Sequence, residues 1–269
     1  MLKLENLRSA FTKKENKNEY YEDLIKNINS SLNLPLDKNY DKWNQAIKDA
    51  ESIFFDEPII RNALQYVLNQ KIDKNLKLQR TALEAAFTLF ENDFSEAINN
   101  IYEISSDKIS LAVAIQYLKR NNFNQRSSSF YINEIKNRFN DYYSDPLLTN
   151  LLYDLENPAS KKFENYPNLA DLFEHPFQKG KTIIYSIQRK NREFIGLTII
   201  KKPDGTFVKN EDGTVFNIPQ LAVSYSNLPA YIPNGNTPEG IYSIIGTYIS
   251  PTETIGPTPN VLIRSPFEV

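Results

Sequence analysis

Few side chains in this sequence have the types and spacing needed for familiar catalytic chemistry. The 269 residues contain no Cys and a single His, His175. A thiolate nucleophile, a disulfide and a Cys-ligated zinc site are therefore excluded, and a Ser-His-Asp triad would need this one imidazole. His175 precedes Pro176 in a polar stretch, a context typical of surface or packing histidines. We expect these residues to hold no catalytic residue, no metal site and no cofactor.

The carboxylates likewise show no pattern that indicates a catalytic acid and base pair. Asp204 precedes Gly205 directly, and Glu211 and Asp212 precede Gly213. A glycosidase pair or a calcium loop is the alternative for these acids, but Asp before Gly is common in turns for backbone reasons. The pattern therefore predicts turns rather than a reactive site.

The most informative spacing lies near the C-terminus. Residues 236–244 read Asn-Thr-Pro-Glu-Gly-Ile-Tyr-Ser-Ile, a Thr-Pro-x-Gly turn that leads into a strand-like run at 241–249. Another strand-like run, 221–226, lies upstream, and a loop containing Pro, Asn and Gly, 227–236, joins the two. A rigid turn of this kind delivers the chain into a sheet at a fixed angle.

This order of elements resembles the first half of an L,D-transpeptidase catalytic domain. A hairpin at 185–194 and Val-Ser at 223–224 fall where that family has them, although Tyr225-Ser226 replaces the Gly expected soon after. The later motif is matched at Thr237, Pro238, Gly240, Tyr242 and Ile244. The resemblance covers residues 181–269 and does not include the N-terminal part.

The resemblance implies cross-linking or remodelling of peptidoglycan in the cell envelope or periplasm. In that family a Cys thiolate attacks an amide carbonyl of a stem peptide while a His handles the proton, and both follow Thr-Pro-x-Gly. The sequence ends at Val269 before such a segment. We therefore expect the domain to continue in a longer protein, and we expect these residues alone to be inactive.

Five residues are the candidates for contact with a stem peptide, namely Ser224, Tyr231, Thr237, Gly240 and Tyr242. Tyr231 lies in the 227–236 loop, which should form one wall of the substrate cleft, because loops of this length are often functional. We expect an exposed Tyr231 ring at the loop tip, where it could stack on a sugar or peptide. The alternative is an ordinary surface loop whose Tyr231 ring folds back onto the sheet. Ser224 and Thr237 have no candidate base nearby in sequence, which favours strand-end and turn roles over nucleophilic ones.

The N-terminal part, residues 1–156, is expected to be all-helical because apolar residues recur there at helical spacing. Asp56-Glu57-Pro58 should end one helix and begin the next. Residues 56–64 look like the first helix of a HEAT repeat, and Trp43 and Leu83 begin similar stripes about 40 residues apart, within the HEAT and armadillo period. A generic helical bundle is the alternative.

Residues 157–180, with three Pro and a Gly, read as a linker, and from residue 181 the hydrophobic period becomes strand-like. The predicted fold class is α+β: a domain of short antiparallel helix pairs, then a mainly antiparallel β domain at 181–269 that is incomplete at its C-terminus.

Charge and hydropathy restrict the partners. The formal net charge is −2, so nucleic acid is not expected. Apolar runs are far shorter than the ~20 residues of a membrane helix, and the N-terminus has no signal-peptide core. The alternative to the enzyme hypothesis is an interaction protein. In that case the helical domain binds a protein partner, and the β domain is a non-catalytic module.

Overall fold

The computed structural model describes residues 14–70, 75–157, 168–177, 179–189, 194–220, 222–250 and 258–264. Over these residues the chain is α+β, with helices in the N-terminal part followed by two small antiparallel sheets. This confirms the predicted fold class at that level, because the change of hydrophobic period coincides with the change from helix to strand.

The described residues contain eight helices before residue 157 and a short ninth helix after it. These are α1 (Lys14–Leu32), α2 (Tyr40–Ser52), α3 (Pro58–Leu68), α4 (Leu76–Leu89), α5 (Ser95–Ile104), α6 (Lys108–Arg120), α7 (Ser128–Arg138), α8 (Pro146–Glu156) and α9 (Leu169–Glu174). None of these helices combines the length and the apolar character needed to cross a membrane.

Local sequence signals fix where several helices begin. Pro58 occupies the first turn of α3, as the Asp56-Glu57-Pro58 signature predicted. Ser127 accepts a hydrogen bond from the Phe130 amide at the start of α7, and Asp145 accepts one from the Leu148 amide at the start of α8. Each cap satisfies an amide that would otherwise have no partner within its helix.

The helices pack in neighbouring pairs. α3 lies against α4, α5 against α6 and α7 against α8, while α2, α4, α6 and α8 are successive neighbours. Their apolar stripes face one core, as the spacing predicted for the residues around Trp43, Ile47, Ile60 and Leu64. Burial of these stripes supplies most of the stability of helices this short.

The strands form two separate antiparallel sheets. β1 (Ile183–Ile187), β2 (Gly196–Lys201) and β3 (Asn217–Gln220) are ordered β1-β2-β3, and β4 (Ile244–Ser250) pairs with β5 (Thr258–Ile263). In the first sheet Tyr185 lies opposite Ile199, and both are buried. The hairpin expected near residues 185–194 is thus the β1–β2 pair.

The chain falls into two compact units whose boundary differs from the expected one. Of the described residues, those within 157–223 form one unit, and those within 14–156 and 224–264 form the other. The sequence placed all of 181–269 in one β domain, but the segment that follows Val223 packs with the helices, because Leu228 and Ile232 lie in the helical core. The stretch 157–180, expected as a linker, includes α9 in its described part.

Candidate functional site

Residues 224–236, called here the 224–236 loop, close on themselves through hydrogen bonds. The Ser224 amide donates to Asn236 Oδ1 at 2.8 Å, and the Ser224 hydroxyl lies 3.1 Å from the same oxygen. The Asn236 amide donates to the Leu228 carbonyl at 2.8 Å. The expected strand at 221–226 is not formed in its described residues, since the chain there makes these loop contacts instead.

The backbone of the loop requires the residue types found at its bends. Asn227 and Asn234 have φ of 55° and 61°, in the left-handed region that Asn tolerates better than most residues. A Cβ on Gly235 would lie 2.1 Å from the Pro229 carbonyl oxygen, so only Gly fits there. The loop therefore has a conformation determined by its own sequence.

Two apolar side chains anchor the 224–236 loop in the helical core. Leu228 is 0% exposed and Ile232 is 2% exposed, and both belong to the same buried cluster as α2–α8. Complete burial of two aliphatic side chains is worth about 3–6 kcal/mol relative to leaving them exposed. The loop is thus held by the helices rather than suspended between two strands.

Tyr231 contacts two helices through its hydroxyl group. It accepts a hydrogen bond from Gln116 Nε2 on α6 at 2.8 Å and donates one to Asp154 Oδ2 on α8 at 3.0 Å. Burial, reinforced by the adjacent Asp154 carboxylate, raises the pKa of Tyr231, so the hydroxyl stays protonated. The ring is not exposed at the loop tip, and it packs against the helical core rather than the sheet that the alternative named, because its two polar partners lie on α6 and α8.

A further polar contact joins the loop to α4. Asn234 Nδ2 donates to Glu84 Oε2 at 3.0 Å. Glu84 is 6% exposed, and burial raises the pKa of its carboxyl group even though the Asn234 hydrogen bond opposes the change. An acid this buried needs a donor, and the loop supplies one.

A second buried acid lies close to Glu84. Glu51 on α2 is 2% exposed, and its Oε1 accepts a hydrogen bond from Thr88 Oγ1 at 2.6 Å. Burial raises the pKa of Glu51 to about 7, with the Glu84 charge adding to the effect and Thr88 and Lys48 opposing it. Sequence reasoning missed both acids, although each lies within or beside an apolar helical stripe.

The Thr-Pro-x-Gly turn follows the loop directly, and its candidates are placed differently from Tyr231. Thr237 and Gly240 are exposed, and Gly240 has a φ of 143° that favours glycine. Tyr242 is half-buried, and its hydroxyl donates to the Glu239 carbonyl at 2.9 Å. A Cβ on Gly240 would lie 3.0 Å from the Tyr242 hydroxyl oxygen, so the ring covers the glycine.

The Ser224 hydroxyl has structural partners within the loop. The Ser224 hydroxyl lies 3.1 Å from Ser226 Oγ and accepts a bond from the Asn227 amide. His175 stacks edge-on against Phe177, with ring centroids 4.6 Å apart, which is a packing contact. The partners of the Ser224 hydroxyl in the described residues, Ser226, Asn227 and Asn236, include no group that could act as its base.

The carboxylates in the turns form neither a second catalytic site nor a metal site in the described part of the chain. Asp204 Oδ1 accepts from the Thr206 amide, and Asp212 Oδ1 accepts from the Thr214 amide. Hydrogen bonds from the Thr206 and Thr214 hydroxyl groups, together with these amide bonds, lower the pKa of the two acids, which have the predicted turn role. Among the described residues no group of three or more His, Cys, Asp or Glu side chains could hold a metal ion.

Five candidate residues thus divide into two groups. Ser224 and Tyr231 belong to the internal structure of a loop held on the helices, whereas Thr237, Gly240 and Tyr242 form the exposed turn that follows it. No protein-family model, curated protein or solved structure matches this chain.

Proposed function

We propose that residues 237–242 are the substrate-facing turn of an L,D-transpeptidase-like domain that binds peptidoglycan stem peptides in the cell envelope. The observation that supports the proposal is the exposure of this turn at the end of a loop closed by hydrogen bonds. Thr237 and Gly240 are exposed directly after a loop whose ends are joined by the Ser224 and Asn236 hydrogen bonds. An exposed hydroxyl and a glycine allow a peptide backbone to approach closely.

The proposed role is binding without turnover in these residues. The family chemistry requires a thiolate, and the chain contains no Cys. The Ser224 hydroxyl cannot replace it, because its neighbours are the Ser226 hydroxyl and Asn236, and neither group can accept a proton as a base.

The helical unit fits this function as a scaffold. We propose that the pairs α3–α4, α5–α6 and α7–α8 are successive units of a HEAT-like array. In such an array each pair contacts only its neighbours, and one row of helices is available to a ligand. Here α4, α6 and α8 belong to one row, and the 224–236 loop of the same chain contacts all three.

A titration with a disaccharide-tetrapeptide, followed by the amide resonances of the chain, tests the proposal. We expect the Gly240 resonance to shift, no product to form, and Thr237→Val to weaken binding about fivefold, since one hydrogen bond is worth about 1 kcal/mol. Thr247→Val, at another exposed threonine on β4, is the matched control and should bind normally. A folded chain whose Gly240 resonance does not respond would rule the proposal out.

A second candidate function is a non-catalytic interaction module. Apolar side chains on β4 and β5 are exposed, including Ile245 at 63%, Ile249 at 64% and Val261 at 46%. Exposed apolar side chains grouped on one ribbon are typical of surfaces that contact other proteins. A chain that does not bind the muropeptide but self-associates with rising concentration, with Ile245→Lys abolishing the association, would favour this function.

A further inference from the structure

We propose that Glu84, Gln116 and Asp154 are positioning residues, which hold the 224–236 loop and thereby fix the direction in which the Thr237–Tyr242 turn leaves the helices. The site they position is the proposed stem-peptide site, so its biological meaning rests on that function. Their effect on the loop is a property of the free chain and can be measured without ligand.

The first argument is the distribution of the three residues. Glu84 is on α4, Gln116 on α6 and Asp154 on α8, and these are successive neighbours in the helical unit. Each makes a side-chain hydrogen bond to a loop residue, at 3.0, 2.8 and 3.0 Å respectively. A segment tied to three helices cannot shift along one of them without losing contacts to the others.

The second argument is that the polar and apolar contacts alternate along the loop. Leu228 and Ile232 enter the core, while Tyr231 and Asn234 reach the three helical side chains. Burial of the apolar side chains supplies most of the free energy that holds the loop on the helices, but the hydrophobic effect has no preferred direction. The hydrogen bonds add the directional restraint, because each one fails when the donor and acceptor move apart or turn away.

The third argument links the loop to the turn. Asn236 uses its amide to reach the Leu228 carbonyl and its side chain to reach Ser224 and Asn227. Thr237 is its direct neighbour in the chain. A loop that stays in place therefore fixes the first residue of the turn, and a loop that detaches releases it.

The test exchanges the donor and the acceptor of one contact. In Asn234→Asp a carboxylate replaces the amide that donates to Glu84, so the hydrogen bond from Asn234 is lost, and the contact is repulsive wherever both acids are ionised. In the double variant Asn234→Asp with Glu84→Gln, the glutamine amide donates to the new carboxylate and restores the hydrogen bond in the opposite direction. Asn122→Asp is the control, because Asn122 is an exposed asparagine at a similar φ of 48°.

The measurements are amide exchange rates and resonance positions in the ligand-free chain. We expect Asn234→Asp to speed exchange at the hydrogen-bonded amides of Ile232, Gly235 and Asn236 by about tenfold and to shift the Gly240 resonance. The double variant should recover most of both changes, and the control should show neither. Amides in α4 and α6 should keep their rates in all variants, because the helical core stays folded.

Two results would overturn the proposal. One is unchanged exchange at the loop amides in Asn234→Asp, and the other is a faster exchange that spreads equally through the helices and is not rescued by the double variant. Titration of the same variants with the disaccharide-tetrapeptide is a separate arm. If the native chain does not bind it, the proposed function fails, whereas the exchange data still decide whether these residues hold the loop and the turn.

Discussion

Replacing Glu51 by Gln should make the helical unit more stable above neutral pH. Glu51 is 2% exposed, and burial raises its pKa from 4.5 to about 7. The folded protein therefore keeps a proton on Glu51 that the unfolded chain has already released. Stability from this group is complete below pH 4.5 and is lost as the pH rises to about 7.

The size of the effect follows from the two pKa values. The interval between 4.5 and about 7 corresponds, at about 1.4 kcal/mol per unit, to a cost of about 3 kcal/mol once Glu51 is ionised in the folded state. Glutamine resembles the protonated acid in shape and can still accept the Thr88 hydrogen bond. The Glu51→Gln variant should gain between about 1 and 3 kcal/mol over the native chain at about pH 8 and little at about pH 4.5.

The assay is urea denaturation at several pH values between about 4.5 and 8. The single tryptophan, Trp43, reports on the helical unit, since it is 8% exposed and its Nε1 donates to the Leu34 carbonyl at 2.9 Å. Glu22→Gln, at an exposed position in the interior of α1, is the matched control and should follow the native curve. A difference between Glu51→Gln and native stability that stays constant across the range would refute the argument that burial holds the proton.

Three further predictions concern the loop and the helical unit; the first and third are measured by the same tryptophan fluorescence and the second by amide exchange. Leu228→Ala should cost about 2–5 kcal/mol, because it removes a fully buried side chain from the helical core, and a loss below about 0.5 kcal/mol would contradict that burial. Gly235→Ala should open the loop, since a Cβ would lie 2.1 Å from the Pro229 carbonyl oxygen; unchanged amide exchange in the loop would show that the backbone is arranged differently. Asp107→Ala should lower the free energy of unfolding by about 2–4 kcal/mol, because Asp107 caps α6 by accepting from the Ser110 amide and also pairs with Arg80. The stability of Asp107→Asn should lie between those of Asp107→Ala and the native chain.

Helix starts and turns were predictable because their causes are local. Pro58 can occupy the first turn of α3 whatever lies around it, and Ser127 and Asp145 reach amides three residues further along the chain. The same holds for Asp212, whose side chain accepts from the Thr214 amide in the predicted turn. Interactions over two or three residues are specified by the sequence of those residues alone.

The destination of the 224–236 loop was not predictable in this way. Its Pro, Asn and Gly residues indicated a bent segment, and the structure has one, but nothing in the spacing of Leu228 and Ile232 indicates that they enter the helical core. Tyr231 looked like an exposed ring for the same reason, since its partners Gln116 and Asp154 lie far away in sequence. The position of the loop depends on contacts with three helices. No short stretch of sequence contains all of those helices, so no short stretch predicts the position.

The sequence by itself determined the α+β class, the helix starts, the turns and the absence of a thiol, because each of these depends on residue types and on contacts between near neighbours. Only the tertiary structure decided that Glu51 and Glu84 are buried and that a loop from the C-terminal part lies on α4, α6 and α8. Whether a charged side chain is buried depends on which helix packs over it. That packing is settled by apolar surfaces far apart in the chain, which become neighbours only when the fold is complete.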